Sequence, residues 1–255
     1  MRVEASVQNQ KAWEHLVYEW RIQTQGTPEE LARKIKKSPE DFLRYHAEYF
    51  GNVRQKKIAS ICGSDGQRAV ALALLGAFPT VFDISQPQKE YALQLAEAAN
   101  VTIEYQVGDF CTLNKAKYTD CFDYTYCEGG ILHYFQNLDL FFQTIRNILK
   151  PNGIMICSDY HPFQKTFVSE PPVRNVEMTH GNYFDTAVHK GHVPYAKYFI
   201  PEQQKDFPYC MLRFYTLSEI CNAVTAAGLT FHKLYEHPRH DNDKIPGEFT
   251  IIAKK

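Results

Sequence analysis

An α/β fold, a mostly parallel sheet with helices on both faces, is what this sequence predicts. Three observations predict it. Between Lys56 and Tyr160, short apolar runs alternate with helical runs. The first apolar run ends in a tight polar turn, Gly63-Ser64-Asp65-Gly66, that opens directly into a helix. Near the end, two more apolar runs, Thr230 to His237 and Phe249 to Ala253, flank a polar turn at Pro238 to Pro246. That turn is too short for a crossover helix, so the two runs pair antiparallel.

The elements follow in order. Residues 9 to 24 space Ala12, Trp13, Leu16, Val17 and Trp20 as a helix does. Thr27-Pro28-Glu29-Glu30 is a helix start with a capping box. Ser38-Pro39-Glu40-Asp41 starts another helix, to about Tyr49. The sheet then begins: strand Ile58 to Cys62, helix Gln67 to Leu75, strand Thr80 to Asp83. A helix capped by Ser85 runs to Ala99, and strands follow at Val101 to Val107 and Phe122 to Cys127. The helix Leu138 to Leu149 is amphipathic, and Gly153 to Tyr160 is the fifth strand. The pattern breaks at Pro162. From Phe163 to Arg213 the chain is too aromatic for a disordered linker and reads as an ordered insertion of short antiparallel strands. Thr216-Leu217-Ser218-Glu219 opens one more capped helix.

Composition narrows the function. The chain has 255 residues, which suits one elaborated domain. A net charge of −1 speaks against a nucleic-acid partner, which calls for a basic excess. No stretch resembles a signal peptide or a membrane span, so a cytoplasmic location and no membrane partner are expected. The seven cysteines form no CxxC pair and read as reduced core thiols. His189 with His192, and His237 with His240, read as solvated loop pairs, so no metal site is expected.

The strand, glycine turn, helix and second strand form one right-handed βαβ unit. The turn lets the backbone approach a ligand, and the helix start offers unpaired N–H groups. Asp83, at the carboxyl end of the second strand, stands where an acid commonly takes two ribose hydroxyls. The unit points to a nucleoside cofactor.

The ordered series IASICGSDGQRA, VFDIS, VGDF, FDYTYCEGGILHYF and LKPNGIMICSDYHP resembles the class I S-adenosylmethionine-dependent methyltransferases of small-molecule type. The resemblance covers Phe50 to Tyr160 and the final hairpin. It implies a Rossmann-like, doubly wound sheet of seven strands, the last antiparallel and inserted beside the fifth. It implies S-adenosyl-L-methionine as cofactor. Gly63, Ser64, Asp65 and Gly66 would wrap its amino-acid and sugar part, Asp83 would take the ribose, and Ile84 would face the adenine. Asp109 would accept from the adenine amino group with Phe110 beside the ring. Glu128 and Gly129 would face the methionine end. Two positions depart from the family: Ser60 stands where an acid is usual, and Cys62 where a glycine is usual. Glu128 or Asp65 would then supply the missing charge.

Methyl transfer from a sulfonium is an in-line displacement, so the protein mainly holds the nucleophile in line and excludes water. A general base is needed only for a nucleophile of high pKa. The candidates are His133 and His161, in that order, with Asp159 nearby. The expected organisation is an N-terminal helical cap over residues 1–50, a methyltransferase core over 51–162 and 214–255, and an inserted substrate cap over 163–213. Tyr18, Trp20, Tyr134 and Tyr160 are candidate substrate-lining residues. The aromatic cap suits a small, partly apolar acceptor. The rival readings are a methyltransferase-like binding or regulatory protein without catalysis, and an NAD-dependent oxidoreductase, which would want a full GxGxxG. The assembly state, a homodimer among the options, is not legible.

Overall fold

The computed structural model describes residues 2–112, 114–166 and 181–255. Residues 167–180, part of the expected insertion, lie outside the described residues.

The N-terminal run folds as two helices, α1 (Arg2–Glu14) and α2 (Val17–Gln25), not one. Leu16 takes φ 52 and ends the helical ladder. The break leaves the carbonyls of Ala12 and His15 to the buried Tyr195 hydroxyl, which donates to them at 3.1 and 2.8 Å. The helix α3 (Pro28–Lys37) starts at Thr27 with the expected capping box. A 3-10 stretch, Glu40–His46, and the short α4 (Ala47–Phe50) replace the single helix expected next. Arg44, at φ 55 and ψ −147, interrupts it.

The alternating core follows: β1 (Lys57–Ile61), α5 (Gln67–Leu74), β2 (Phe78–Asp83), α6 (Gln86–Ala99), β3 (Glu104–Val107), α7 (Lys115–Tyr118), β4 (Phe122–Cys127), α8 (Leu138–Ile148) and β5 (Leu149–Tyr160). The insertion contributes β6 (Val188–Gly191), α9 (Pro201–Gln204) and β7 (Cys210–Arg213), with β6 and β7 paired antiparallel. The chain ends in α10 (Leu217–Ala226), β8 (Thr230–Arg239) and β9 (Asn242–Lys254). The main sheet has seven strands in the order β3-β2-β1-β4-β5-β9-β8. The strands β1 to β5 are parallel, and β9 runs antiparallel between β5 and β8. This is the Rossmann-like, doubly wound class I arrangement.

The final turn is tighter than expected. Pairing continues through Pro238 opposite Pro246 to Arg239 opposite Asn242, by way of bulges. Glycine at 247 allows it, because a Cβ there would lie 2.6 Å from the Arg239 Cα. His237 sits in β8, as the run Thr230 to His237 predicts, and His189 sits in β6 and not in a loop.

Apolar layers cover both faces of the sheet. On one face Phe141, Phe142 and Ile145 of α8 pack with Ile220 and Val224 of α10 against Met155 and Ile251. On the other, α3, α5 and α6 bring Ile35, Val70, Leu72 and Leu95 against Ile58 and Val81. A third cluster joins α1 and α2 to the insertion through Ala12, Val17, Val193, Tyr195, Phe207 and Leu212. Cap and insertion thus share one small core. Among the described residues no helix is long and apolar enough to cross a membrane.

Candidate functional site

A cavity of about 280 Å³ opens where β1, β2, β3 and β4 end, at the point where the strand order reverses from β1. Its floor is the loop after β1 and the strand ends. Its roof is α1, through Ala5, Ser6, Asn9 and Trp13.

The floor loop is shaped by three left-handed residues in alternation: Cys62 (φ 51), Ser64 (φ 52) and Gly66 (φ 72). Two of the three carry side chains, where this conformation costs about 1 kcal/mol or more. Gly63 has no such freedom. A Cβ there would stand 2.6 Å from Ser60 Oγ and 2.9 Å from Val81 Cγ1. Ser64 is fixed by all three of its polar groups. Its N–H donates to Asp83 at 2.9 Å, its carbonyl accepts from the Tyr105 hydroxyl at 2.7 Å, and its Oγ accepts from Arg21 at 2.6 Å. The Arg21 side chain also pairs with Asp65 at 3.0 Å, donates to Gln88 at 3.2 Å and lies over the Trp20 ring. Arg21 and Asp65 are both buried.

Two carboxylates stand at the ends of adjacent strands. Asp83 accepts from the backbone N–H of Ser64 on one oxygen and of Ser85, at 3.0 Å, on the other. Burial pushes its carboxyl up, against those N–H donors and the Arg21 charge. Asp109 accepts from the Cys111 N–H at 2.8 Å. Ile84, Phe110, Glu128 and Gly129 also line the cavity. Glu128 pairs with Arg68 of α5, and burial raises its carboxyl against that partner. Burial pushes the Cys62 thiol well up, with the Asp83 charge second, so it stands as a neutral thiol. Asp159, buried, accepts from the N–H groups of Ile131 at 2.9 Å and Leu132 at 2.8 Å. It thereby pins the loop that carries Gly129, Gly130 and Tyr134.

A nucleoside with an amino-acid arm fits these residues. A Cβ added at Gly129 would meet no atom within 4 Å, so the backbone faces open space there. Asp83 and Asp109 offer acceptors suited to hydroxyl and amino donors, and each Asp83 oxygen carries a lone pair beyond its one backbone bond.

All ten cofactor-binding candidates, Gly63, Ser64, Asp65, Gly66, Asp83, Ile84, Asp109, Phe110, Glu128 and Gly129, lie along this loop and these strand ends, and all but Gly66 line the cavity. Phe110 is buried and also packs against Phe82 and Phe141, so it is core and wall at once. Of the other candidates, Tyr134 lines the cavity, edge-on to Trp13 at 5.6 Å. The remaining candidates sit elsewhere. His133 lies flat against Phe214 at 5.6 Å. His161 contacts Glu236 at 2.9 Å, on the far side of the sheet end. Tyr18 donates to Gln94 on α6. Trp20 stacks on Tyr195 at 4.8 Å, inside the third core. Tyr160 covers the Cα of Gly130, where any side chain would collide with its ring. Reading by position missed Trp13, Arg21 and Arg68, which line the cavity from helices.

Residues 61–157 match the family model described as a methyltransferase domain. The ubiquinone biosynthesis O-methyltransferase of Histophilus somni is 29% identical over 119 residues, 46% of this chain and 50% of that protein. The chain thus spans about half the length of the curated relative it matches. Among solved structures, an S-adenosylmethionine dependent methyltransferase from Mesorhizobium loti is similar with a TM-score of 0.60 at 17% identity, over 82% of this chain and 94% of that one. The 1,6-didemethyltoxoflavin-N1-methyltransferase of Burkholderia thailandensis, solved with its acceptor and S-adenosylhomocysteine, gives 0.61 at 15% identity over 100% and 90%. The strand order is that of the class I methyltransferase fold. The match over residues 61–157 is thus to a methyltransferase domain, and the fold is the one these S-adenosylmethionine-dependent methyltransferases share.

Proposed function

We propose that the protein is an S-adenosylmethionine-dependent methyltransferase that methylates a small molecule. One observation carries the reading. Asp83 and Asp109 face a single cavity from adjacent strand ends, beside a loop whose N–H groups and left-handed turns leave room for a close ligand. Asp83 would hold the ribose hydroxyls, and Asp109 the adenine amino group between Ile84 and Phe110. Residues 63–66, Glu128 and Gly129 would hold the methionine arm. When bound, the cofactor supplies a methyl group on a sulfonium.

The chain's own contribution is placement. Gly129 leaves the end of β4 open, and Tyr134 and Trp13 wall the space beyond it under α1. An acceptor held there in line with the methyl needs no acid for its leaving group. The roof, the aromatic walls and the near-neutral net charge favour a small, flat acceptor over a macromolecule. The 1,6-didemethyltoxoflavin bound to the Burkholderia neighbour and the ubiquinone biosynthesis named for the Histophilus relative are in keeping with that class.

Titration calorimetry with S-adenosylmethionine, S-adenosylhomocysteine and NAD tests the cofactor. The first two are expected to bind at micromolar concentration and NAD not to bind. Incubation with a panel of phenols, aromatic amines and ring-nitrogen heterocycles, read by mass gain of 14 Da per methyl, tests the reaction. Cofactor binding without any methylated product would favour a binding or regulatory protein instead.

A further inference from the structure

The loop after β1 carries polar side chains at Ser64 and Asp65, and one side chain from outside the sheet engages both. Arg21 of α2 reaches across to Ser64 Oγ at 2.6 Å and to Asp65 at 3.0 Å, while Gln88 of α6 takes its Nε at 3.2 Å. We infer that Arg21 is a positioning residue that clamps the cofactor loop in its binding shape, so that the N-terminal cap is part of the cofactor site.

The physical argument runs through Ser64. A serine in the left-handed region persists where its surroundings over-determine it. Ser64 has Asp83 on its N–H, Tyr105 on its carbonyl and Arg21 on its hydroxyl, from three separate elements. Without Arg21 the hydroxyl loses a charged donor, and Asp65 becomes a buried carboxylate without its counter-ion. Removing one partner of a buried pair is far more costly than the pair is worth, because the other charge remains. The loop is then expected to shift until Asp65 finds water, and its N–H groups leave the cavity. The serine is accordingly a part of the clamp and not interchangeable with glycine.

The cofactor part of this inference rests on the proposed function; the loop part does not. Two readouts separate them. The first is calorimetric affinity for S-adenosylhomocysteine. Arg21→Gln, which keeps a donor and loses the charge, is expected to bind at least tenfold more weakly. Ser64→Gly is expected to weaken binding although it relieves the backbone. The second readout is amide exchange of residues 62–66 without ligand, which should speed up in Arg21→Gln. Adding Asp65→Asn to that variant is expected to bring the amide exchange of residues 62–66 back toward the wild-type rate, because the orphaned charge is gone. Arg44→Ala, also in the N-terminal segment but paired with Glu248, serves as control and should leave both readouts unchanged. Wild-type affinity and exchange in Arg21→Gln, tighter binding in Ser64→Gly, or an equal loss in Arg44→Ala would each overturn the clamp. If the wild type binds no S-adenosylhomocysteine, the proposed function fails, and the exchange rates alone decide the clamp.

Discussion

At the end of the cavity proposed for the nucleoside, the polar groups come almost wholly from residues 60–111, and carboxylates and backbone N–H groups set the geometry. At the roofed end, the walls come from α1, from the loop after β4 and, behind them, from residues near 200. There Asn9 donates to the Met211 carbonyl at 3.2 Å and accepts from its N–H at 2.7 Å, and Trp13 packs edge to face with Tyr134 and tilted against Tyr195. The first end is short-range and polar, the second long-range and aromatic. A ligand common to a family needs fixed polar partners, whereas an acceptor peculiar to one member is selected by shape, which packing can vary.

The most severe way to break the first end is Asp83→Ala. It removes the ribose acceptor and leaves the N–H groups of Ser64 and Ser85 without their partner. Calorimetry should then give S-adenosylhomocysteine at least 100-fold weaker binding, and a loss under threefold would remove Asp83 from the site. Next comes the roof. Asn9→Ala leaves the buried Met211 N–H unsatisfied, and the urea midpoint should report a loss of about 2 kcal/mol. Loosening of α1 should weaken cofactor binding less than Asp83→Ala does; an equal effect would erase the distinction between the two ends.

A smaller effect lies between them, at His46. This residue is fully buried with its Nδ1 2.8 Å from the Tyr126 hydroxyl. Burial first, then Arg44 and Arg68, press its pKa down to about 3. The unfolded chain binds a proton at His46 near pH 6.5 that the native state refuses, so this stability is present above that pH and lost as pH falls toward 3. Between pH 6.5 and 5.5 the loss should be about 1 kcal/mol in urea titrations. His46→Gln should flatten that slope, and an unchanged slope would assign the acid sensitivity elsewhere. The smallest effect belongs to Cys62→Gly. Relief of the left-handed backbone should raise stability by about 0.5 kcal/mol, less whatever packing the thiol gives up. A clear loss would mean that the thiol contributes more than its backbone costs.

The same contrast decides what the sequence could reveal. Asp83, Asp109 and Gly63 were legible because each stands a fixed step from a strand end. The capping boxes at Thr27 and Thr216 were legible because their bonds close within three residues. Trp13 and Arg21 were not, since both look like ordinary residues of an amphipathic helix and acquire their role only when α1 and α2 fold over the sheet. His133 and His161 show what position alone leaves open. Each follows a strand end closely, as a catalytic residue would, but side-chain direction sends one to Phe214 and the other to Glu236. The break at Leu16 has no local cause in the sequence; it answers to the Tyr195 hydroxyl, 183 residues from Ala12.

The place of β9 in the sheet bears on synthesis. A chain emerging from the ribosome in order would make β8 before the strand that must lie between β8 and β5. Until β9 appears, β5 keeps an open edge along Ile154 to Tyr160 and β8 has no neighbour. The nascent protein therefore carries a ready template for pairing with other chains until β9 has been made. Chaperone engagement at that stage would be the natural protection, and strand-mimicking peptides of β9 would be the natural poison.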